Sequence, residues 1–205
     1  MSTLSFSVNT RNATTYDAAY KWYEQIPKIF ELNMGNPMWL PLLAIGVTVD
    51  TVNNREQHSL GSDQPSFYPA TQTMLSYGIS YPTVKIYHQY AIDSAIFLGA
   101  NKTVAEKDMT DVIEFEILLA KASTKETARN ATLVNSTTIE DLPEFPCGMY
   151  CLGQDIQNPT WEKFFNHILK ASGNNITLDH KESFIHLNPP YFNSLVPLLN
   201  ETNQR

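Results

Sequence analysis

The amino-acid sequence predicts a mainly α fold with a small β element near the middle, and three patterns carry that expectation. Apolar residues recur at helical spacing, most clearly in Trp161, Phe164, Phe165, Ile168 and Leu169, which trace one face of an amphipathic helix. Start signals precede several such stretches: Pro82 at an N1 position, the capping-box patterns Thr103-Val-Ala-Glu106 and Thr137-Thr-Ile-Glu140, and Thr160 before Trp161. Strand signals are few and short, being the β-branched run Leu43–Asp50 and the tetrapeptide Phe184–Leu187.

Taken in order, residues 15–32 carry Tyr16, Ala19, Tyr20, Tyr23, Ile26 and Phe30 at helical spacing, with Thr14 or Thr15 as N-cap and Pro27 as a kink or end. Gly35-Asn36-Pro37 breaks the chain, and Leu43–Asp50 follows as a strand. Asn53-Asn54 supplies a turn, Gln57–Ser62 returns as a partner strand, and Gly61–Tyr68 reads as loop. Pro82 opens a helix through Val84, Tyr87, Ala91, Ala95 and Leu98, which Gly99 is placed to stop. The capping box at Thr103 leads into Met109, Val112, Ile113, Glu116, Leu119 and Ala120. Residues 123–136 are polar and read as an exposed connection, after which Thr137–Glu140 begins a short turn ended by Pro143. Thr160 caps the amphipathic helix, Gly173-Asn174 ends it, and Pro189-Pro190 starts a last helix with Phe192, Leu195, Val196, Leu198 and Leu199. There is no internal repeat and no low-complexity tract.

At 205 residues the chain is expected to form a single domain, 1–205, or one large part of a bigger one, and such a length buries about 70% of its unfolded surface without staples. Charged residues make up 17% and aromatics 11%, a composition that opposes wholesale disorder. A net charge of −7, with 14 basic against 21 acidic residues, opposes a nucleic-acid partner, which would meet a basic face. The start, Met1 to Asn9, lacks the basic and apolar regions of a signal peptide. The most apolar stretch, Met38–Val49, is broken by Pro41 and falls short of the ~20 residues of a membrane span.

Six Asn-x-Ser/Thr sequons point the other way, toward a secretory lumen: Asn12, Asn101, Asn130, Asn135, Asn175 and Asn200. That is about twice the chance expectation for this Asn- and Thr-rich composition. The two cysteines, Cys147 and Cys151, form a C-x3-C pair that is neither a redox C-x2-C nor half of a four-ligand zinc site. A local disulfide, two free thiols and a metal role all remain open for them.

No self-sufficient active site is visible. A zinc endopeptidase helix needs two His at i and i+4 with a Glu between them, and none of the five histidines (His58, His88, His167, His180, His186) has that spacing. The nearest pair, His180 and His186, is expected to be partly exposed and hydrogen-bonded. There is no Gly-x-Ser-x-Gly elbow, no phosphate-cradling loop and no GxGxxG. Glu114 and Glu116 diverge on a helix at i and i+2 and read, like Glu140-Asp141, as a solvated face. The stripe Trp161-Phe164-Phe165 reads as core.

Several segments in order resemble a known family. Gly46–Asp50, a turn, and Ser62-Asp-Gln-Pro-Ser66 are similar to the strand, turn and Gln-Pro segment in the N-terminal domain of the neprilysin / endothelin-converting enzyme metallopeptidases. The helix ending Asp111–Glu116 resembles that family's Glu-containing helix, and Thr137–Leu142 its Met-Thr-x-x-Glu/Gln-Leu segment. Trp161-Glu-Lys-Phe-Phe165 falls where the family has Trp-x-x-Phe/Tyr. Phe184–Phe192 with Leu195, Leu198 and Leu199 looks like its strand-to-helix unit. The match is best over residues 40–200.

The resemblance implies a plasma-membrane or secreted zinc ectopeptidase whose helical N-terminal domain restricts access to a catalytic domain. The family's Asn-Ala-Phe-Tyr segment, HExxH helix and following Glu ligand have no counterpart here, so no catalytic or metal residue carries over. Its Cys pair after the Gln-Pro segment is absent too, since Tyr68–Tyr81 holds no Cys. Three readings follow. The chain is an incomplete neprilysin-like peptidase, zinc and peptide substrates belonging to the full-length enzyme and the catalytic domain being its partner in cis; or a short catalytically dead binding or decoy module; or an unrelated all-α interaction protein. Uncovered leucines on the last helix would favour the first of these, through the apolar surface a missing half would leave.

Overall fold

A computed structural model describes residues 42–52, 57–67, 69–123, 134–146 and 160–202. The expected helix over 15–32, the Asn53-Asn54 turn and the loop of Cys147 and Cys151 lie outside the described residues, as do Asn12 and Asn130. Five helices and a four-stranded sheet make up what is described, so the chain is mainly α with a small β element.

The sheet runs in the order β1-β2-β4-β3. Strand β1 (Ala44–Val49) pairs antiparallel with β2 (His58–Asp63), and the Asp50 amide donates to the Gln57 carbonyl at 2.8 Å where the hairpin turns. Strand β4 (Ser183–His186) lies parallel to β2, with Leu60 opposite Phe184 and Ser62 opposite His186. Parallel neighbours need a long crossover. Here that crossover contains β3 and four of the five helices. Strand β3 (Asn135–Thr138) pairs antiparallel with β4.

Two expectations about this region are corrected. Gly61–Asp63 belongs to β2 rather than to a loop. The glycine marks a close approach, because a Cβ there would lie 2.9 Å from Thr48 Cγ2 and 3.0 Å from the Ile185 carbonyl oxygen. Asn135 and Ser136 belong to β3 rather than to a connection. Their polar run has no apolar alternation, and it is the ladder to the buried strand β4 that makes it a strand. The turn expected at Thr137 forms one residue later: Thr138 Oγ1 donates to Asp141 Oδ2 at 2.7 Å, and the Asp141 amide donates to the Thr138 carbonyl.

Between β2 and β3 runs a helical arm of α1 (Gln72–Ser76), α2 (Pro82–Phe97) and α3 (Lys102–Ala122). Pro82 occupies the first turn of α2 as expected. Gly99, at φ +101°, lets the chain leave α2 through paired bonds from the Gly99 amide to Ile96 O and from the Ala100 amide to Ala95 O. The cap of α3 is Asn101, not Thr103: its Oδ1 accepts from the Thr103 amide at 3.0 Å and the Val104 amide at 3.5 Å, and Thr103 itself is helical. The arm's core is Leu75, Val84, Ile113, Ile117 and Ala120.

Helices α4 (Trp161–Ala171) and α5 (Pro189–Glu201) cover the sheet face that carries Leu60, Phe184 and His186. Thr160 Oγ1 accepts from the Lys163 amide, and Gly173 leaves α4 at φ +79°, both where the sequence places them. The aromatic stripe is core. Phe165 stacks on Phe184 with centroids 5.1 Å apart, and Trp161 lies 4.9 Å from Phe192. The Trp161 ring N–H donates to the Pro143 carbonyl at 2.7 Å, which satisfies its one polar atom.

Candidate functional site

Polar side chains gather where β2, β4 and the start of α5 meet. They come from the Ser62-Asp-Gln-Pro and Phe184-to-Tyr191 segments, which are 124 residues apart in sequence. His186 Nδ1 and Ser62 Oγ are 3.3 Å apart across the β2–β4 pair. The Asn188 amide nitrogen donates to Gln64 Oε1 at 2.6 Å, while its oxygen accepts from the Tyr191 amide and so caps α5. The Leu187 amide donates to the Ser62 carbonyl at 2.9 Å. Tyr191 is fully buried, and its hydroxyl donates to the Leu42 carbonyl just before β1.

This arrangement locks elements together and offers no reacting group to solvent. Ser62, His186 and Asn188 are all buried. His186 also meets the rings of Phe184 and Phe192 edge-on, at 5.0 Å and 4.6 Å. Burial among these rings pushes its imidazole down to about 4, so it is neutral at physiological pH. Burial likewise pushes the Tyr191 hydroxyl up, which keeps it a donor. The expectation of a partly exposed His186 is therefore corrected. Asn188-Pro-Pro did carry a readable signal, an N-cap residue followed by proline at N1.

The other histidines are dispersed. His58 and His167 are exposed, and His88 Nε2 meets Thr110 Oγ1 at 2.9 Å between α2 and α3. His180 is half-exposed, 3.3 Å from Asp179 and 3.7 Å from Glu140. Among the described residues no three His, Cys, Asp or Glu side chains come together as a metal would require, so this donor set does not fit a zinc ion.

Glu114 is exposed on α3, whereas Glu116 is not simply part of a solvated face. Tyr87 on α2 donates to Glu116 Oε1 at 3.1 Å. Burial raises the Glu116 carboxyl above the ordinary range, and the hydrogen bond from Tyr87 opposes that rise. Desolvation and the neighbouring carboxylate also raise the Tyr87 hydroxyl. Four sequon asparagines, Asn101, Asn135, Asn175 and Asn200, are described and all four are exposed. No helix among the described residues is long and apolar enough to cross a membrane.

The sequence model for the N-terminal part of peptidase family M13 matches residues 8–205. The chain is similar to Neprilysin-2 of Drosophila melanogaster, with 26% identity over 190 residues, covering 92% of this chain and 22% of that protein. It is also similar to Neprilysin-21 of Caenorhabditis elegans, with 28% identity over 111 residues, covering 54% of this chain and 14% of that protein. The chain thus spans less than a quarter of the length of these curated relatives. The buried joints between β2, β4 and α5 give the resembling segments a structural purpose, and a match over nearly the whole chain leaves no doubt about descent: the protein belongs to peptidase family M13, as an N-terminal domain of the neprilysin type.

Proposed function

We propose that this chain is the helical N-terminal portion of a neprilysin-like zinc metalloendopeptidase that hydrolyses peptides at the extracellular face of the plasma membrane or in secreted form. The observation that carries the reading is the family match over residues 8–205. In this reading zinc and the reacting groups belong to a catalytic domain in cis, and the present residues cap its cleft and restrict which peptides enter. Support comes from the chemistry of these joints: Ser62, Gln64, His186, Asn188 and Tyr191 are engaged with one another or with backbone, and all but the half-buried Gln64 are shielded from solvent.

One observation favours a second reading, a short non-catalytic binding module. Leu195 and Leu199 of α5 are buried and Leu198 is half-buried, so the uncovered leucines that would have favoured the fragment do not occur there. Apolar surface is instead uncovered on α2, where Ile86, Tyr90 and Phe97 are 71%, 66% and 90% exposed. Both readings expect the 205-residue chain to be inert toward peptides when purified and supplied with zinc. Turnover of a fluorogenic peptide that a chelator abolishes would contradict both.

A further inference from the structure

Phe97 and Leu98 stand at the corner between α2 and α3, 90% and 79% exposed. Covering two adjacent large apolar side chains this open to water would be favourable. The corner itself is closed by backbone hydrogen bonds. Gly99 turns at φ +101°, the Gly99 and Ala100 amides close onto Ile96 O and Ala95 O, and Ala100 is buried. Directly beyond it comes Asn101-Lys102-Thr103, an intact sequon.

The geometry of Asn101 suits an acceptor. Its Oδ1 is held by the Thr103 and Val104 amides, which fixes the side-chain plane and leaves Nδ2, the atom that takes a sugar, as the remaining donor. Substitution at Nδ2 does not disturb the cap, because the glycosylated amide keeps its oxygen as an acceptor. Asn101 is exposed and lies four positions after Phe97. Even a fully extended chain would put the two Cα atoms no more than about 14 Å apart, and the reversal at Gly99 brings them closer.

We propose that Asn101 is N-glycosylated and that the first sugars of its glycan lie over Phe97 and Leu98, so that the apolar corner is covered by carbohydrate. This rests on the extracellular reading above. In the transfer, Nδ2 attacks C1 of an oligosaccharide carried on a lipid diphosphate. The N–C1 bond forms, the C1–O bond to phosphate breaks, the lipid diphosphate leaves with that electron pair, and one amide proton is lost. The apolar faces of the sugar rings, with their C–H groups directed outward, then meet the π-face of Phe97.

The test uses the full chain expressed behind a secretory leader in eukaryotic cells, with glycopeptides covering residue 101 read by mass spectrometry. Occupancy at Asn101 is expected. Glycans at Asn175 or Asn200 with a bare Asn101 would overturn this inference and leave the extracellular reading standing. A native protein bare at every sequon would overturn both. Coverage is tested by Thr103→Ala, which removes the acceptor while keeping the Asn101 cap, against Thr103→Ser, which keeps both. Thr103→Ala should lower the unfolding midpoint by about 2–4 °C relative to Thr103→Ser. Phe97→Ser should do the same in the glycosylated protein and have almost no effect in the Thr103→Ala background. An equal effect of Phe97→Ser in both backgrounds would overturn the covering role.

Discussion

On the sheet side, Phe165 stacks on Phe184, Trp161 finds the Pro143 carbonyl, and Tyr191, Phe192, Leu195, Val196 and Leu199 of α5 are all buried. On the helical arm, α2 buries Val84 and Ile92 but leaves Ile86 and Tyr90, four residues apart on one face, open. The same kinds of residue serve opposite ends. Around the sheet they close a core, and Ser62, His186, Gln64 and Asn188 pair with one another at its edge. Along α2 they make an apolar surface with water as its neighbour, and such a surface is where association is favourable. The difference teaches where to look for function. The sheet side closes its apolar residues into a core, and the arm leaves large apolar side chains at its surface.

The largest expected effect that would break this comparison lies at Phe184. Truncation to Ala removes a fully buried ring facing Phe165 and should cost about 3–5 kcal/mol in chemical denaturation. Ile86→Ser or Tyr90→Ser on α2 should change stability by no more than about 0.5 kcal/mol. Comparable losses at both places would mean that α2 is covered after all.

Next in size are the pH effects, which carry opposite signs in the two regions. His186 is neutral in the fold down to about pH 4, whereas the unfolded imidazole takes a proton near 6.5. Between those values the unfolded state binds more protons, so stability falls as the solution is acidified through that window, by up to about 3 kcal/mol. His186→Leu should flatten the slope. Glu116 is raised by burial, so above 4.5 the folded state binds more protons than the unfolded one, and this group's contribution declines as pH rises through its folded value. Glu116→Gln should remove that decline. Urea titrations between pH 4 and 7 separate the two.

Asn188→Ala follows, with an expected loss of about 1–3 kcal/mol, since it removes a helix cap and leaves Gln64 without that amide donor. Ser59→Ala should be neutral or slightly stabilising. Its buried hydroxyl and that of Ser183 find no hydrogen-bond partner among the described residues, so their removal relieves a desolvation cost.

Much of this layout is legible in the sequence wherever local chemistry and tertiary demand agree. Thr160, the apolar stripe of α4 and Gly173 all specify one helix, and Pro82 and Gly99 do so for α2. Strand β3 was not legible, because Asn-Ser-Thr-Thr becomes a strand only through its ladder to β4. The Thr103-x-x-Glu106 pattern reads as a cap, yet Asn101 is the better acceptor and lies two residues earlier, next to a glycine corner. The burial of His186 and the Tyr87–Glu116 pair depend on contacts between distant segments, which no spacing rule encodes. The resemblance itself was legible, because its segments recur in order and the Gln64 and Asn188 segments meet in space.

The account turns on whether these residues belong to a longer peptidase, and the reading frame of the native transcript, sequenced outward past Arg205, tests that most directly. The account predicts that the frame continues into a helix with the HExxH pattern. A stop codon directly after Arg205 in a full-length transcript would contradict it and leave a catalytically empty M13 domain.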